Sequence, residues 1–435
     1  MKRCLALLAA AAALLFAADG RRAPGAGGGE PSPSASRLDA VVDYCFDAAL
    51  ADDPATAGAG PVNVLDDKWP PGAIGGEVEP VRMIADLHPT FDGLAVDSVN
   101  GRIVMSDENR HGLLAYDRTA GRAAEMVTEP LRHVFGPKTR IGFAAGVAVD
   151  PVHKEAYTVN NDGGDQLLVY GYDAHGNVDP VRYLRIPHQS WGVSLSNERD
   201  EIALTVQQSN AIVVYPRTAK GLDAPIRQIS GVKSQLHDPH GIVLDGVNDE
   251  ILVVNHGNWT KIRPYTLYDP LVAAGNEPYE PGRFFAPSIT VHRATTQADA
   301  PPLRTIEGSR TRLNWPMGLA LDTAHHEIFV ANYGDSSVLV FGRTAQGDVA
   351  PARVLRGALT GIVGPVGIGI DTKNDELWVA NYGDHTAVVF PRTAAGNARP
   401  LRTVRNAPPE TPTCGFTNVS AAAYDPRRGA ILVPN

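Results

Sequence analysis

Three cysteines stand in 435 residues, at positions 4, 45 and 414, and no two of them form a CxxC pair. A zinc knuckle or a dithiol redox motif is therefore not encoded. Positive charge is also thin: Lys and Arg number 39 against 48 Asp and Glu, the formal net charge is −9, and no basic run exceeds two residues. A phosphate backbone is held by clustered Lys and Arg, so no nucleic-acid partner is expected. Beyond residue 18 no apolar run is long enough for a membrane helix, and no membrane span is expected. HExxH, GxSxG and phosphate-loop glycine patterns are missing too. Their absence leaves the commoner metalloprotease, serine-hydrolase and nucleotide-binding readings without a signature.

What is present is apolar content of 43%, with 43 Gly and 34 Pro spread along the chain rather than pooled. Many short elements joined by turns fit that distribution better than long helices. The N-terminus opens with Lys2 and Arg3 and then an apolar run from Leu5 to Ala18. This pattern predicts a signal peptide over residues 1–18 and a periplasmic or secreted protein. Residues 19–36 are a Gly/Ala/Pro/Ser tract read as a disordered linker, and residues 37–60 as an N-terminal extension with a short helix. With Cys4 removed on export, Cys45 and Cys414 remain and are expected to pair in an oxidising compartment; two separate buried thiols are the other reading. In the chain-entropy model so long a loop would gain about 5 kcal/mol.

The segment "VANYGD" occurs at 330–335 and again at 379–384. It belongs to a longer repeat: a glycine, an alternating apolar stretch and an acid recur at 93, 146, 241, 318 and 367, with weaker copies at 192 and 421. Each is followed by a turn and a second apolar run such as "EIFVAN" or "ELWVAN", which predicts an antiparallel strand pair. A third strand and a fourth carrying Pro-x-Arg complete the unit, and Pro-x-Arg occurs seven times, first at Pro80–Arg82. Four strands every 50 residues or so predict an all-β fold, a β-propeller of four-stranded antiparallel blades. Seven copies predict seven blades over residues 61–435. The chain ends on a second strand, so the N-terminal strands, "PVNVL" and the segment 81–87, are expected to close the last blade. A six-bladed ring is the alternative.

The pattern "GLALD…EIFVANYGDSSVLVFGRTA" resembles bacterial exported propellers of the NHL and YVTN repeat superfamily, including its lactonase-like members. The resemblance covers residues 61–435 and implies the fold; its members range over lactonases, lyases, partner-binding modules and surface proteins. Its lactonase-like members imply a divalent metal held by acid and Asn ligands at the channel mouth.

In a repeat scaffold, positions alike in every unit are read as structural and polar departures as candidates for function. The strand-two ends are read as Asp107, Asn160, Gln207, Asn255, Asn332, Asn381 and Asn435, mostly structural because Asn closes turns on backbone groups. The departures collect in three units. The first has Asp92, Asp107 and Glu108; the third has Trp191 and Gln207; the fourth has His237, Asp238 and His240 before its first strand and Asn255 and His256 after its second. All but Asp238 are taken as ligand-binding residues, and His240, His256 and Asp107 as the set that could hold a divalent metal such as Zn²⁺ or Cu²⁺. "NNDGGD" at 160–165 is a weaker calcium candidate, and the insertion spanning 257–287, with Trp259, Tyr265, Tyr268 and Tyr279, is read as a lid or a plug. The leading expectation is an exported binding module, monomeric, whose ligand is a protein or small molecule of the cell envelope. The alternative is a metal-dependent hydrolase or lyase.

Overall fold

Six sheets, each of four antiparallel strands in sequence order, form the body of the described chain, with two small two-stranded sheets beside them. The computed structural model describes residues 88–409 apart from 123–124, 162–163 and 262–281, and also residues 411, 423–425 and 430–432. Blade one consists of Phe91–Asp97, Arg102–Asp107, Gly112–Asp117 and Arg132–Phe135. Blades two to six follow at 144–185, 190–230, 239–307, 316–355 and 365–405. The second strands are buried along nearly their whole length, as their unbroken apolar runs require when both faces of a sheet are covered. The segments read from sequence as signal peptide, linker and extension, and all three cysteines, lie outside the described residues. Among the described residues no helix is long and apolar enough to cross a membrane.

The ring closes at six, and the glycine of the repeat shows how. A Cβ on Gly93 would meet the carbonyl oxygen of Ala145, one on Gly146 that of Trp191, and one on Gly192 that of His240. Gly241 faces Met317, Gly318 faces Val366, and a Cβ on Gly367 would stand only 2.5 Å from the carbonyl oxygen of Asp92 in blade one. Each first strand thus lies against the next, and the sixth lies against the first. The glycine is needed for this close approach of backbones around the axis. Gly318→Ala is therefore expected to cost about 3 kcal/mol through overpacking, whereas Gly342→Ala, with open space around it, should stay within about 0.5 kcal/mol of the parent. Urea unfolding of the two variants checks the contrast.

This corrects the seven-blade reading. The seventh copy forms a separate two-stranded sheet of Ala423–Asp425 with Ala430–Leu432, which pairs with none of the six blades. Nor does closure need N-terminal strands: each blade is built from contiguous chain, and the predicted strands at 61–65 and 81–87 lie outside the described residues. Blade six meets blade one through the contacts used elsewhere in the ring. Their side chains form one apolar cluster in which Phe91, Leu94 and Tyr116 pack with Trp378, Ala387 and Val404.

Pro-x-Arg also has a physical explanation. The fourth-strand arginine grips the glutamate that opens the second strand of its own blade with two parallel hydrogen bonds: Arg182 to Glu155, Arg227 to Glu201, Arg304 to Glu250, Arg353 to Glu327 and Arg402 to Glu376. A second arginine reaches the same glutamate from the following blade: Arg343 to Glu250 at 2.6 Å, Arg392 to Glu327 at 2.8 Å, and Arg118 of blade one to Glu376 at 3.1 Å. Bidentate charge-assisted bonds of this kind fix orientation as well as adding energy. The last of them ties the ring shut.

Candidate functional site

Three columns of the repeat meet at one end of the ring. The first is the second residue of each inner strand: Asp92, Ala145, Trp191, His240, Met317 and Val366. In every blade the strand pairing slips around this residue, a bulge of the kind that re-aims a side chain. The second column is the residue just after the second strand: Glu108, Asn161, Gln207, His256, Tyr333 and Tyr382. Its backbone N–H donates to the carbonyl of the residue preceding the inner strand, which supplies the third column: Thr90, Phe143, Gln189, Asp238, Trp315 and Gly364. The backbone of these columns repeats while their side chains do not.

Blade four contributes the densest cluster. The rings of His240 and His256 stack with centroids 3.4 Å apart, and their Nδ1 atoms lie 3.7 and 3.5 Å from the carboxylate of Asp238. Gln207 donates its amide N–H to His240 Nε2 at 2.6 Å, and His240 Nδ1–H donates to the Asp238 carbonyl at 3.1 Å. The indole N–H of Trp315 donates to His256 Nδ1 at 2.6 Å, which leaves Nε2–H facing the Met317 sulfur at 2.8 Å. Burial, and then the neighbouring His256, push the His240 imidazole down to about 3; burial lowers His256 as well. Both rings are neutral near pH 7, the form that ligates metal. Asp238, His240 and His256 each bring a donor atom within 4.8 Å of the others.

Asp238 and Trp315 occupy the same column, and both have positive φ, 55° and 52°. Gly364 takes this conformation in blade six at no steric cost, and Asp tolerates it, but a Trp there costs about 1–2 kcal/mol. Strain of this kind at a bulky side chain points to a function for its position. The aromatic series continues around the mouth: Phe143 to Trp191 at 5.9 Å, Trp191 to His240 at 5.1 Å, His256 to Trp315 at 5.7 Å, and Trp315 to Tyr333 at 6.2 Å between centroids.

Blade one meets this arc with acids. Asp92 and Glu108 share a hydrogen bond, the Tyr382 hydroxyl donates to Glu108, and both carboxyls are buried. Burial raises Asp92 and Glu108 far above the usual carboxylate range, and for Glu108 the charge of Asp92 adds to the rise. Burial, followed by the charge of Glu108, raises the Tyr333 phenol.

Of the residues expected to bind, Asp92, Glu108, Trp191, Gln207, His240 and His256 come together in these columns. Asp107 and Asn255 do not. Asp107 accepts backbone N–H bonds from Thr90, Asn109 and Arg110, and Asn255 accepts one from His237 while donating to Ser288 and Thr290. They are the turn-closing residues of the scaffold, and Asp238 rather than Asp107 stands beside the two imidazoles. His237 stacks on Phe285 at 3.4 Å, at the foot of the insertion, whose base pairs Asn258–Lys261 with Gly282–Phe285. Most of the insertion and residues 162–163 of "NNDGGD" lie outside the described residues. The second strand of blade three ends at Val206, so Gln207 is one place beyond the column assigned to it from sequence. Tyr333, Tyr382, Trp315 and Met317 were not expected at the mouth. Aligning the residue before each inner-strand glycine, and the one after each second strand, finds Met317 and the two tyrosines.

No family model matches the chain, and no curated protein matches it. Among solved structures it is similar to a chain of a nidogen/laminin complex, with 14% identity and a TM-score of 0.44 over 73% of this chain and 93% of that one. It is similar to a hydrazine synthase chain of Kuenenia stuttgartiensis at 12% identity and 0.46, over 73% and 100%. A protein of Desulfotomaculum acetoxidans DSM 771, described as functionally unknown, matches at 14% and 0.47, over 73% and 87%. Likeness this distant carries no argument about the site, which rests on the chain's own columns.

Proposed function

We propose that this chain is an exported binding module whose ligand sits in the channel mouth, against the imidazole pair of blade four and the aromatic arc that flanks it. The observation that carries this reading is the contrast between columns. Scaffold columns hold Gly, Glu, Arg or a turn-forming acid or Asn in nearly every blade, while the mouth columns hold twelve bulge and post-strand residues that seldom agree. Converging aromatic and polar side chains over a rigid frame are the usual makings of a small-molecule site. Trp191 and Trp315 border the imidazoles, so their fluorescence reports occupancy. Titration with a panel of small amines, carboxylates and sugars is expected to give a saturable change with at least one class, lost in Trp191→Ala and His240→Ala. No saturable change, or one that both variants retain, would overturn the reading.

A second reading, a metal-dependent hydrolase or lyase, is favoured by one observation: Asp238, His240 and His256 offer three converging donors from neutral imidazoles and a carboxylate. Three protein ligands with a further position open fit catalytic Zn²⁺. An ion held on His256 Nδ1 would take the place of the Trp315 indole N–H that donates there. Equimolar Zn²⁺ in the purified protein, lost together with its Trp signal in His240→Ala, would establish this reading, and a protein that takes up no Zn²⁺ on titration would end it.

A further inference from the structure

The acids of the other repeat columns have bases or backbone N–H groups as partners, including Asp107, whose Oδ1 takes three backbone N–H groups although its Oδ2 has no partner. Glu155, Glu201, Glu250, Glu327 and Glu376 pair with arginines, and Asp97, Asp150, Asp245, Asp322 and Asp371 accept the backbone N–H groups of the turns they begin. Asp92 and Glu108 break this rule. They are 1% and 2% exposed, no ion pair joins either to a basic side chain among the described residues, and Asp92 Oδ2 has no hydrogen-bond partner. The other five blades place no acid in either column. Two buried carboxyls without a countercharge cost several kcal/mol unless one keeps a proton or a cation joins them. A scaffold that puts neutral groups in five blades and two acids in blade one has spent stability on that spot.

We propose that Asp92 and Glu108 form the recognition point for an organic ammonium group, whose hydrocarbon part lies along the aromatic arc of Tyr382, Tyr333 and Trp315. This rests on the mouth-binding reading and specifies its ligand class. An ammonium carries N–H donors for the unpartnered Asp92 oxygen and for Glu108, and its charge replaces the shared proton, which leaves to solvent. Tyrosine and tryptophan rings attract the same charge through their faces. A calcium ion fits less well, since it takes six to eight oxygens and the spot offers two carboxyls and a phenol. The described residues that converge tightly enough for a metal are those of blade four, not these.

Calorimetric titration with benzylammonium and butylammonium, with benzoate and CaCl₂ as contrasts, tests the assignment. Saturable binding of an ammonium, at least tenfold weaker in Asp92→Asn and in Glu108→Gln, is expected. Both variants should melt no lower than the parent, and Asp92→Asn about 2 °C higher, because a neutral amide relieves the buried acid pair. Preference for Ca²⁺ or benzoate, failure of both ammonium probes to bind, or ammonium binding unchanged in Asp92→Asn would overturn the inference. If binding falls in Trp191→Ala and His240→Ala yet persists in Asp92→Asn, the mouth reading stands and only the ammonium assignment falls. If the parent binds no member of the wider panel either, both readings fall, and the melting curves separate a lost site from an unfolded variant.

Discussion

Glu250→Gln is expected to lower the unfolding free energy by about 4 kcal/mol, the range seen when one partner of a buried ion pair is removed. Its two oxygens take Arg304 at 2.6 and 2.9 Å from within blade four and Arg343 at 2.6 Å from blade five. All three side chains are 10 to 15% exposed, so neither guanidinium finds water in place of the lost charge. Gln keeps the shape and one acceptor but leaves two buried cations facing a neutral amide. For a domain of this size the loss corresponds to about 8 °C in Tm. Glu201→Gln is the informative comparison, because its second arginine, Arg199, comes from its own blade; blade four has Ala294 where blades five and six have Arg343 and Arg392. If both variants lose stability but only Glu250→Gln broadens the urea transition, the Arg343 bond couples blades. A loss below about 1 kcal/mol in Glu250→Gln would show that the pair is screened like a surface bridge.

The arginines hold Glu250 below the usual carboxylate range even though burial opposes them. A depressed carboxyl stabilises the fold above its unfolded pKa and loses that contribution as pH falls through its folded value. Acid below about pH 4 therefore loosens the parent at these joints, and Glu250→Gln removes its share of that sensitivity.

How much of this could be read in advance depends on what each residue's neighbours were. The four-strand unit was legible because Gly93, Gly146, Gly192, Gly241, Gly318 and Gly367 repeat a backbone requirement, and a repeated requirement leaves a repeated letter. Blade number was not, because "AAAYD" and "AILVPN" imitate a first and second strand. A hairpin becomes a blade only when a third and fourth strand join it and its inner strand packs on the next, and the last is a matter of contact, as Gly367 against Asp92 shows. The mouth was half legible. Asp92, Trp191, His240 and His256 departed visibly from the repeat, but Tyr333 and Tyr382 hid inside "VANYGD", where repetition looked like scaffold. Asp238 was seen within its motif and given no ligand role, since nothing in the letters says that the position before an inner strand takes positive φ and turns toward its neighbour's imidazole.

His292→Phe should raise stability by about 2 kcal/mol at pH 7 and by about 5 kcal/mol near pH 4, the largest effect expected of any single change here. The fifth residue of the third strand is Tyr116, Tyr170, Tyr215, Phe341 and Phe390 in the other five blades and His292 in blade four. His292 is fully buried, and neither ring nitrogen has a partner. Phe removes that unpaired donor and acceptor and restores the ring the column holds elsewhere, at some cost in added volume. The pH dependence follows from burial, which pushes the imidazole down to about 4. An unfolded histidine takes its proton near 6.5, so between the two values unfolding binds a proton and stability falls as pH drops, by about 1.4 kcal/mol for each unit. His240, also held low by burial, keeps its own acid sensitivity in the variant, so the difference between parent and His292→Phe isolates one group. Urea unfolding at pH 7 and pH 4.5 measures it. A gain that grows on acidification confirms a neutral, buried, unpartnered imidazole; an equal gain at both values would mean that His292 reaches solvent before the fold opens.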